Sequence, residues 1–178
     1  MEPMKKLTYA CLGLSIVAVF AAVLASPARS EDKVLGLFDD WGAQTFVEKG
    51  KTGCSIWSQP NKEGGNAKER GAVYVYVTHR PWEKRIDEVS LVAGYPYKKD
   101  STVHARIGGQ KFTLFTDGDT AWNRSPKEDN SLVAAMRRGN SMVVTGVPKK
   151  GKQTTDTYSL TGFSKAYDAI AKACGLTR

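Results

Sequence analysis

The chain has 178 residues, a formal net charge of +8 from 26 Lys+Arg against 18 Asp+Glu, and only two histidines and three cysteines. That length supports one domain with a core and is short for two. The cysteines and histidines form no zinc spacing, the glycines form no phosphate loop, and no recognition-helix or zinc-finger pattern accompanies the basic charge, so nucleotide and nucleic-acid binding are not expected.

The amino end reads as a secretory leader. Lys5 and Lys6 precede an apolar run from Leu7 to Ala25, and Ser26-Pro27-Ala28 supplies small residues for cleavage after Ala28, with cleavage after Ser30 as the alternative. A retained anchor is the rival, because the run is about as long as a spanning helix requires. The expected organisation is a signal peptide over 1–28 and one β-rich domain over 29–178. Cleavage removes Lys5, Lys6 and Glu2, which lowers the charge from +8 to +7, a sign that favours encounters with anionic surfaces. It also removes Cys11 and leaves Cys54 and Cys174. Two thiols in an oxidising compartment most simply form one disulfide; a reactive thiol or a metal ligand is the alternative. Closing a loop of roughly 120 residues removes denatured-chain entropy worth about 5 kcal/mol.

Along the chain, "LFDDWGAQTFV" places Trp41, Ala43, Thr45 and Val47 on one side of a strand, and "GCSIWSQ" follows across the turn "EKGKTG". "PNKEGGNAKERG" reads as a solvated surface loop. "AVYVYVTHR" is the clearest strand, with β-branched and aromatic residues on both faces, as an interior position in a sheet requires. "EVSLVAGYPY" reads as another, stopped by Pro96. A meander follows: Thr102 to Ile107, Lys111 to Thr116, and a short strand through Ala121-Trp122, turning at Gly108-Gly109 and Asp117-Gly118. The period then becomes helical: a cap at Asn130 or Ser131, apolar Leu132, Val133, Ala135 and Met136, and Arg137 and Arg138 before Gly139. "SMVVTGV" and "TTDTYSLTGF" return to strand, joined by the basic turn "PKKGKQ". In the last segment Phe163, Ala166, Tyr167, Ile170, Ala171 and Cys174 share one helical face. The fold expected is mainly β: a single-domain antiparallel β-sandwich or partly rolled sheet with one short helix and a C-terminal amphipathic helix.

Candidates for chemistry are few. His79 and His104 are the neutral-pH bases, but no nucleophile elbow or similar local signature accompanies them, and both read as surface or hydrogen-bonded structural residues. Asp117 and Asp119 flank a glycine as a hairpin turn does; calcium would want more oxygens than the segment offers, and Asp39-Asp40 reads the same way. No catalytic residue, cofactor or metal site is assigned. Aromatics beside cations suit carbohydrate, lipid headgroups or acidic partners, so the interaction surface is placed on Tyr95, Tyr97, Lys98, Lys99, Arg137, Arg138, Lys149 and Lys150, with Lys152 adjoining.

The segments "FDDWGAQTF", "CSIWSQ", "LVAAMRRGNSMVVTG", "TTDTYSLTGFSKAYDAI" and the late "KAC" resemble the invasion-associated locus B family of exported bacterial envelope proteins, from Phe38 to Cys174. The resemblance implies a non-enzymatic protein of the periplasm, outer-membrane-associated or secreted, in a family with one branch linked to entry of pathogens into erythrocytes. Trp41, Cys54, Gly139, Leu160, Gly162, Phe163 and Cys174 match its pattern and read as core, turn and clasp. Three functions follow as expectations. The first is an envelope interaction protein meeting an envelope protein or an anionic envelope polymer, with peripheral membrane contact and a role in envelope integrity or host-cell contact. The second is a periplasmic hydrolase or carbohydrate-processing enzyme, and the third a structural or chaperone-like periplasmic factor.

Overall fold

The computed structural model describes residues 32–65 and 70–176. The leader, both cleavage positions and Cys11 lie outside the described residues.

Eleven strands form one antiparallel sheet: β1 (Lys33–Phe38), β2 (Trp41–Glu48), β3 (Lys51–Ser58), β4 (Lys62–Gly64), β5 (Tyr74–Arg80), β6 (Arg85–Val92), β7 (Thr102–Ile107), β8 (Gln110–Asp117), β9 (Thr120–Trp122), β10 (Ser141–Gly146) and β11 (Thr154–Ser159). Their spatial order is β1-β2-β3-β5-β6-β9-β8-β7-β10-β11-β4. The sheet curls back on itself. Gly71, just beyond the terminal strand β4, donates its amide to the Gly94 carbonyl at 2.8 Å, next to the end of the central strand β6. Rolling turns one face inward, where Ile56, Val75, Val77, Val89, Leu91, Val103, Leu114 and Met142 are buried. This is the mainly β, partly rolled architecture expected from the alternation.

Helix α1 (Pro126–Arg138) packs chiefly against β6, and α2 (Phe163–Ala173) covers the inner side of β1, β2 and β3. The stripe on α2 is buried as its spacing requires: Phe163, Ala166, Tyr167, Ile170 and Ala171. Phe163 meets the edge of Trp41 at 4.8 Å between ring centroids, and Trp41 donates Nε1–H to the Ser159 carbonyl at 3.0 Å. Gly162 starts the helix at φ +88°, and a Cβ there would strike the Phe38 carbonyl oxygen. Glycine is therefore required on both conformational and steric grounds. At the other end Cys174 caps α2 and bonds Cys54 of β3, with α-carbons 6.1 Å apart.

Beside this clasp a buried polar group ties the helix down. A bulge in the β5–β6 pairing falls between Thr78 and Arg80, and Asp87 opposite it sits at φ +65°. His79 accepts the Asp87 amide hydrogen at Nδ1 (3.1 Å), and Tyr167 donates its hydroxyl to Asp87 Oδ1 at 2.6 Å. Both histidine and aspartate are essentially inaccessible, so each bond forms where water does not compete.

Three local readings need correction. Trp41, Ala43, Thr45 and Val47 do share one strand, β2, but "LFDDWGAQTFV" begins in another, β1, because Asp39 at φ +52° turns the chain between them. The "PNKEGGNAKERG" stretch is not simply a solvated loop: it contains β4, paired with β11, and Arg70, whose side chain is 3% exposed. Arg70 clamps Asp156 with two hydrogen bonds of 2.5 and 2.7 Å and donates Nε–H to the Ala93 carbonyl; this bidentate pairing makes the burial tolerable. Finally, α1 begins at Ser125 rather than Asn130 or Ser131. Pro126 occupies its first turn, the Ser125 hydroxyl accepts from the Glu128 amide, and Glu128 Oε2 accepts from the Arg124 amide at 2.8 Å. This is a reciprocal cap around a proline start.

Replacing Cys54 and Cys174 together by serine should leave the fold intact and lower its unfolding free energy by about 3–5 kcal/mol, measured by urea unfolding of the oxidised wild type beside the variant.

Candidate functional site

The residues expected to form one interaction surface divide into two groups, and the backbone explains the division. After β6 the chain bends at Gly94 and Tyr95 and reaches an isolated bridge at Tyr97, which brings the Tyr95 and Tyr97 rings together. Tyr97 is 7% exposed and meets the Tyr95 ring edge-on at 5.3 Å. Tyr95 shares a hydrogen bond with the Thr154 hydroxyl and carries the Arg70 guanidinium over its ring. Burial raises the phenol pKa of both tyrosines. The two rings are thus anchors of the loop, which corrects their placement on a contact surface.

What they anchor is the lysines. Lys98 donates its amide to the Val147 carbonyl at 2.9 Å, and Lys149 donates to the Pro96 carbonyl at 2.8 Å, around an isolated bridge between Tyr97 and Pro148. This pairing draws Lys98 and Lys99 to Lys149 and Lys150, with Lys152 in the same turn. All five are exposed, and none forms an ion pair among the described residues. The result is a lysine apex whose ammonium groups face solvent and whose base is fixed by the buried Tyr97 and the half-buried Tyr95.

Arg137 and Arg138 lie elsewhere. The apex adjoins the Thr102 end of β7 and the Gly146 end of β10, whereas Arg138 lines a cleft with Ile107, Gly108 and Ser141 at the opposite ends. Six residues of strand separate the two positions, about 17 Å along the sheet. Arg137 is also engaged: it pairs with Asp168 at 3.0 Å and lies over the Tyr167 ring at 4.7 Å. The two arginines therefore do not join the lysines in one patch.

The histidines are equally separated. His79 is buried beneath α2, as described above. His104, on β7, lies 3.2 Å from the Thr113 hydroxyl, and burial together with Lys111 and Arg106 lowers its pKa. No carboxylate lies within ion-pair distance of His104 among the described residues, so the orienting acid that would activate a hydroxyl is missing there. Asp117 ends β8, and Asp119 lies in the β8–β9 turn, where its carbonyl accepts from the Ala93 amide at 2.9 Å. Among the described residues no group of three or more His, Cys, Asp or Glu could hold a metal ion.

One charged feature had no signal in the sequence. A cleft of about 510 Å³ is bordered by Glu48, Arg80, Glu88, Trp122 and Asp129, among others. Arg80 bridges Glu48 at 2.8 Å and Glu88 at 2.7 Å, and its hydrogen bond holds the Glu48 carboxyl below its usual pKa. At the cleft's inner wall, Asp129 accepts from the Val89 amide and from Asn123 at one oxygen, Oδ1. Burial raises its pKa despite those bonds. The partners of Arg80 are more than 30 residues apart in sequence on one side, and Asp129 reaches the cleft only because α1 crosses β6. No local motif encodes either.

These observations define a disulfide-clasped, mainly β domain with a solvent-facing lysine apex. Residues 41–171 match the family described as invasion associated locus B (IalB) protein, and the chain belongs to that family. A crystal structure of invasion associated protein b from Bartonella henselae shares the fold, with a TM-score of 0.54 and 16% sequence identity over 79% of this chain and 96% of that one. Comparison with the curated proteins finds no match.

The raised pKa of Asp129 has a definite sign. Its neutral form is favoured in the folded state, so its contribution is fully present below the unfolded aspartate pKa and is lost as pH rises through the folded value. Asp129→Asn removes that loss. Its stability relative to wild type should therefore rise with pH from about pH 4 into the neutral range, read as midpoint differences in urea unfolding across that window; a difference that falls over the window would contradict the assignment.

Proposed function

We propose that this IalB-family protein is an exported, non-enzymatic envelope interaction protein, and that its lysine apex is the surface that meets an anionic envelope polymer. Export by the leader, with cleavage after Ala28 or Ser30, delivers the domain over 29–178 to the periplasm. There the Cys54–Cys174 disulfide is chemically at home. The observation that carries the reading is the reciprocal backbone pairing of Lys98 with Val147 and of Lys149 with Pro96, which gathers unpaired ammonium groups on a rigid base. Lysine suits this task because it is a compact point charge without fixed hydrogen-bond geometry, matched to a polymer with many similar phosphates or carboxylates. The same charges support peripheral contact with anionic lipid at the outer membrane. A role in envelope integrity, or in host-cell contact, would follow from holding such a component.

Converting Lys98, Lys99, Lys149 and Lys150 to glutamine should reduce binding to lipopolysaccharide by more than tenfold at low salt and flatten its salt dependence. Arg137→Gln with Arg138→Gln should leave both nearly unchanged. Vesicles of phosphatidylglycerol in phosphatidylcholine form the second arm: binding to them alone assigns the apex to lipid rather than polymer. Full binding by the four-lysine variant would refute the reading.

A second reading, strand addition by a structural or chaperone-like factor, is favoured by β1. This strand lies at the sheet edge among the described residues, with Val34 61% and Leu37 76% exposed. An envelope polypeptide adding a strand there would use the free backbone groups of β1. Leu37→Lys should then abolish capture of an unfolded envelope polypeptide while leaving lipopolysaccharide binding intact, tested in parallel pull-downs; undiminished capture counts against strand addition.

A further inference from the structure

The outward face of β8, β7, β10, β11 and β4 carries cations and almost no acid, and strand register sets its rows. Lys111 lies opposite Arg106, Arg106 opposite Val143, Val143 opposite Thr157, and Thr157 opposite Lys62. Directly opposed residues share a face, so this row crosses five strands over four spacings, about 19 Å. One pleat repeat nearer the lysine apex runs a second row, Thr113, His104, Thr145 and Thr155. The residues between the rows on β7, β10 and β11, which are Ala105, Val144 and Asp156, are buried. Alternation therefore fixes both rows on the outside.

The charge on this face is uncompensated. Lys62, Arg106 and Lys111 are exposed and form no ion pair among the described residues. The acids of β11 and β4, Asp156 and Glu63, have the opposite parity, and Arg70 holds both. Two acids border the face, Asp100 in the turn before β7 and Asp117 at the end of β8. At the Asp117 border a further cation, Arg124, also in no ion pair, lies over the Phe115 ring at 5.4 Å.

We infer that this face is a track for a linear phosphate polymer, which crosses the strands over Lys111, Arg106 and Lys62 and draws a proton onto His104 as it binds. The ligand class is the anionic polymer proposed for the apex, a reading on which this inference rests. Phosphate fits the row because its free oxygens accept at once from guanidinium, ammonium and the hydroxyls of Thr113, Thr145, Thr155 and Thr157. A row about 19 Å long takes several consecutive phosphates, whereas a single headgroup reaches one pair of cations. A bilayer is disfavoured by the side chains themselves: Val143 and Phe115, both half-buried, are the apolar ones these rows and their border present, and neither can insert among acyl chains.

His104 couples the track to pH. It is faced by Lys111 and Thr113 of β8, by Val143 and Thr145 of β10 and, on its own strand, by Thr102 and Arg106. Beyond these stand the apex lysines and Asp100 past Thr102, and Asp117 past Phe115. Burial, Lys111 and Arg106 hold the free imidazole below its usual pKa. Phosphates laid along the row offset the repulsion of those two cations, so the bound protein takes up a proton that the free protein does not. Affinity then rises as pH falls through the imidazole range. The inner phosphates of a chain stay ionised throughout that range, so the change belongs to the protein.

The test titrates the mature protein with long-chain polyphosphate, tripolyphosphate and polyglutamate by calorimetry at about pH 7.5 and about pH 5.5, either side of the imidazole pKa. Long-chain polyphosphate should bind more tightly, phosphate for phosphate, than tripolyphosphate, and should bind more tightly still at the lower pH with proton uptake. Lys62→Gln with Arg106→Gln and Lys111→Gln should weaken it about tenfold and reduce its salt dependence while circular dichroism is unchanged. His104→Gln should abolish the proton uptake. Removing the same charge from the other end of the sheet, by Lys33→Gln with Lys49→Gln and Lys51→Gln, should change little. An equal loss in that control, proton uptake that survives His104→Gln, or equally tight binding of polyglutamate overturns the inference. Unaltered binding by the face variant overturns it while leaving the apex reading intact, provided the four-lysine variant loses binding; full binding by the four-lysine variant with loss in the face variant refutes the apex reading instead.

Discussion

Helix α2, fastened at its end by the Cys54–Cys174 bond, covers one side of the sheet and so makes that side the inside. A rolled antiparallel sheet has two faces of similar backbone and needs something to cover one of them. Here α2 does so over β1 to β3, with Phe163 against Trp41 at its start, Tyr167 against His79 and Asp87 in its middle, and the disulfide at its end. The three contacts hold the start, middle and C-cap of an 11-residue helix, which alone would be too short to persist in water. Covering that face commits residues of one parity to the core and leaves Trp57, Tyr76 and Trp122 outward.

Electrostatics divides the molecule in a similar way. The buried or half-buried arginines are spent on structure: Arg70 on Asp156, Arg80 on Glu48 and Glu88, Arg137 on Asp168. Each offers the planar fork that a fixed carboxylate requires. The lysines of the apex form no ion pair among the described residues. Part of the net positive charge is gathered at the apex, beside the buried Tyr97 and the half-buried Tyr95, and clustered charge raises the local potential that an anion meets.

Much of this was legible in sequence because local chemistry and global fold agree. Alternation gave the strands from Tyr74 to Trp122, glycine and aspartate marked their hairpins, and the spacing of Phe163, Tyr167 and Ile170 gave the α2 stripe. The disulfide followed from compartment and cysteine count. The misses have physical causes. β4 is three residues of Lys-Glu-Gly, held by backbone pairing to β11 and by the Glu63–Arg70 ion pair, and no apolar pattern announces it. The first turn of α1 is all polar, so its cap at Ser125 was hidden behind the later apolar residues. Tyr95 and Tyr97 beside Lys98 have the same local pattern whether their rings are buried or exposed, and only contacts distant in sequence decide: Thr154 and Arg70 for Tyr95, Pro148 for Tyr97.

The account rests most heavily on the sulfur bridge forming in the native protein, since the docking of α2 and the proposed export meet there. Digestion of the protein from the periplasm under non-reducing, alkylating conditions, followed by mass spectrometry, tests it directly. A single cross-linked peptide pair joining Cys54 to Cys174, resolved into two by reductant, is the predicted result; both cysteines recovered as alkylated free thiols would contradict it.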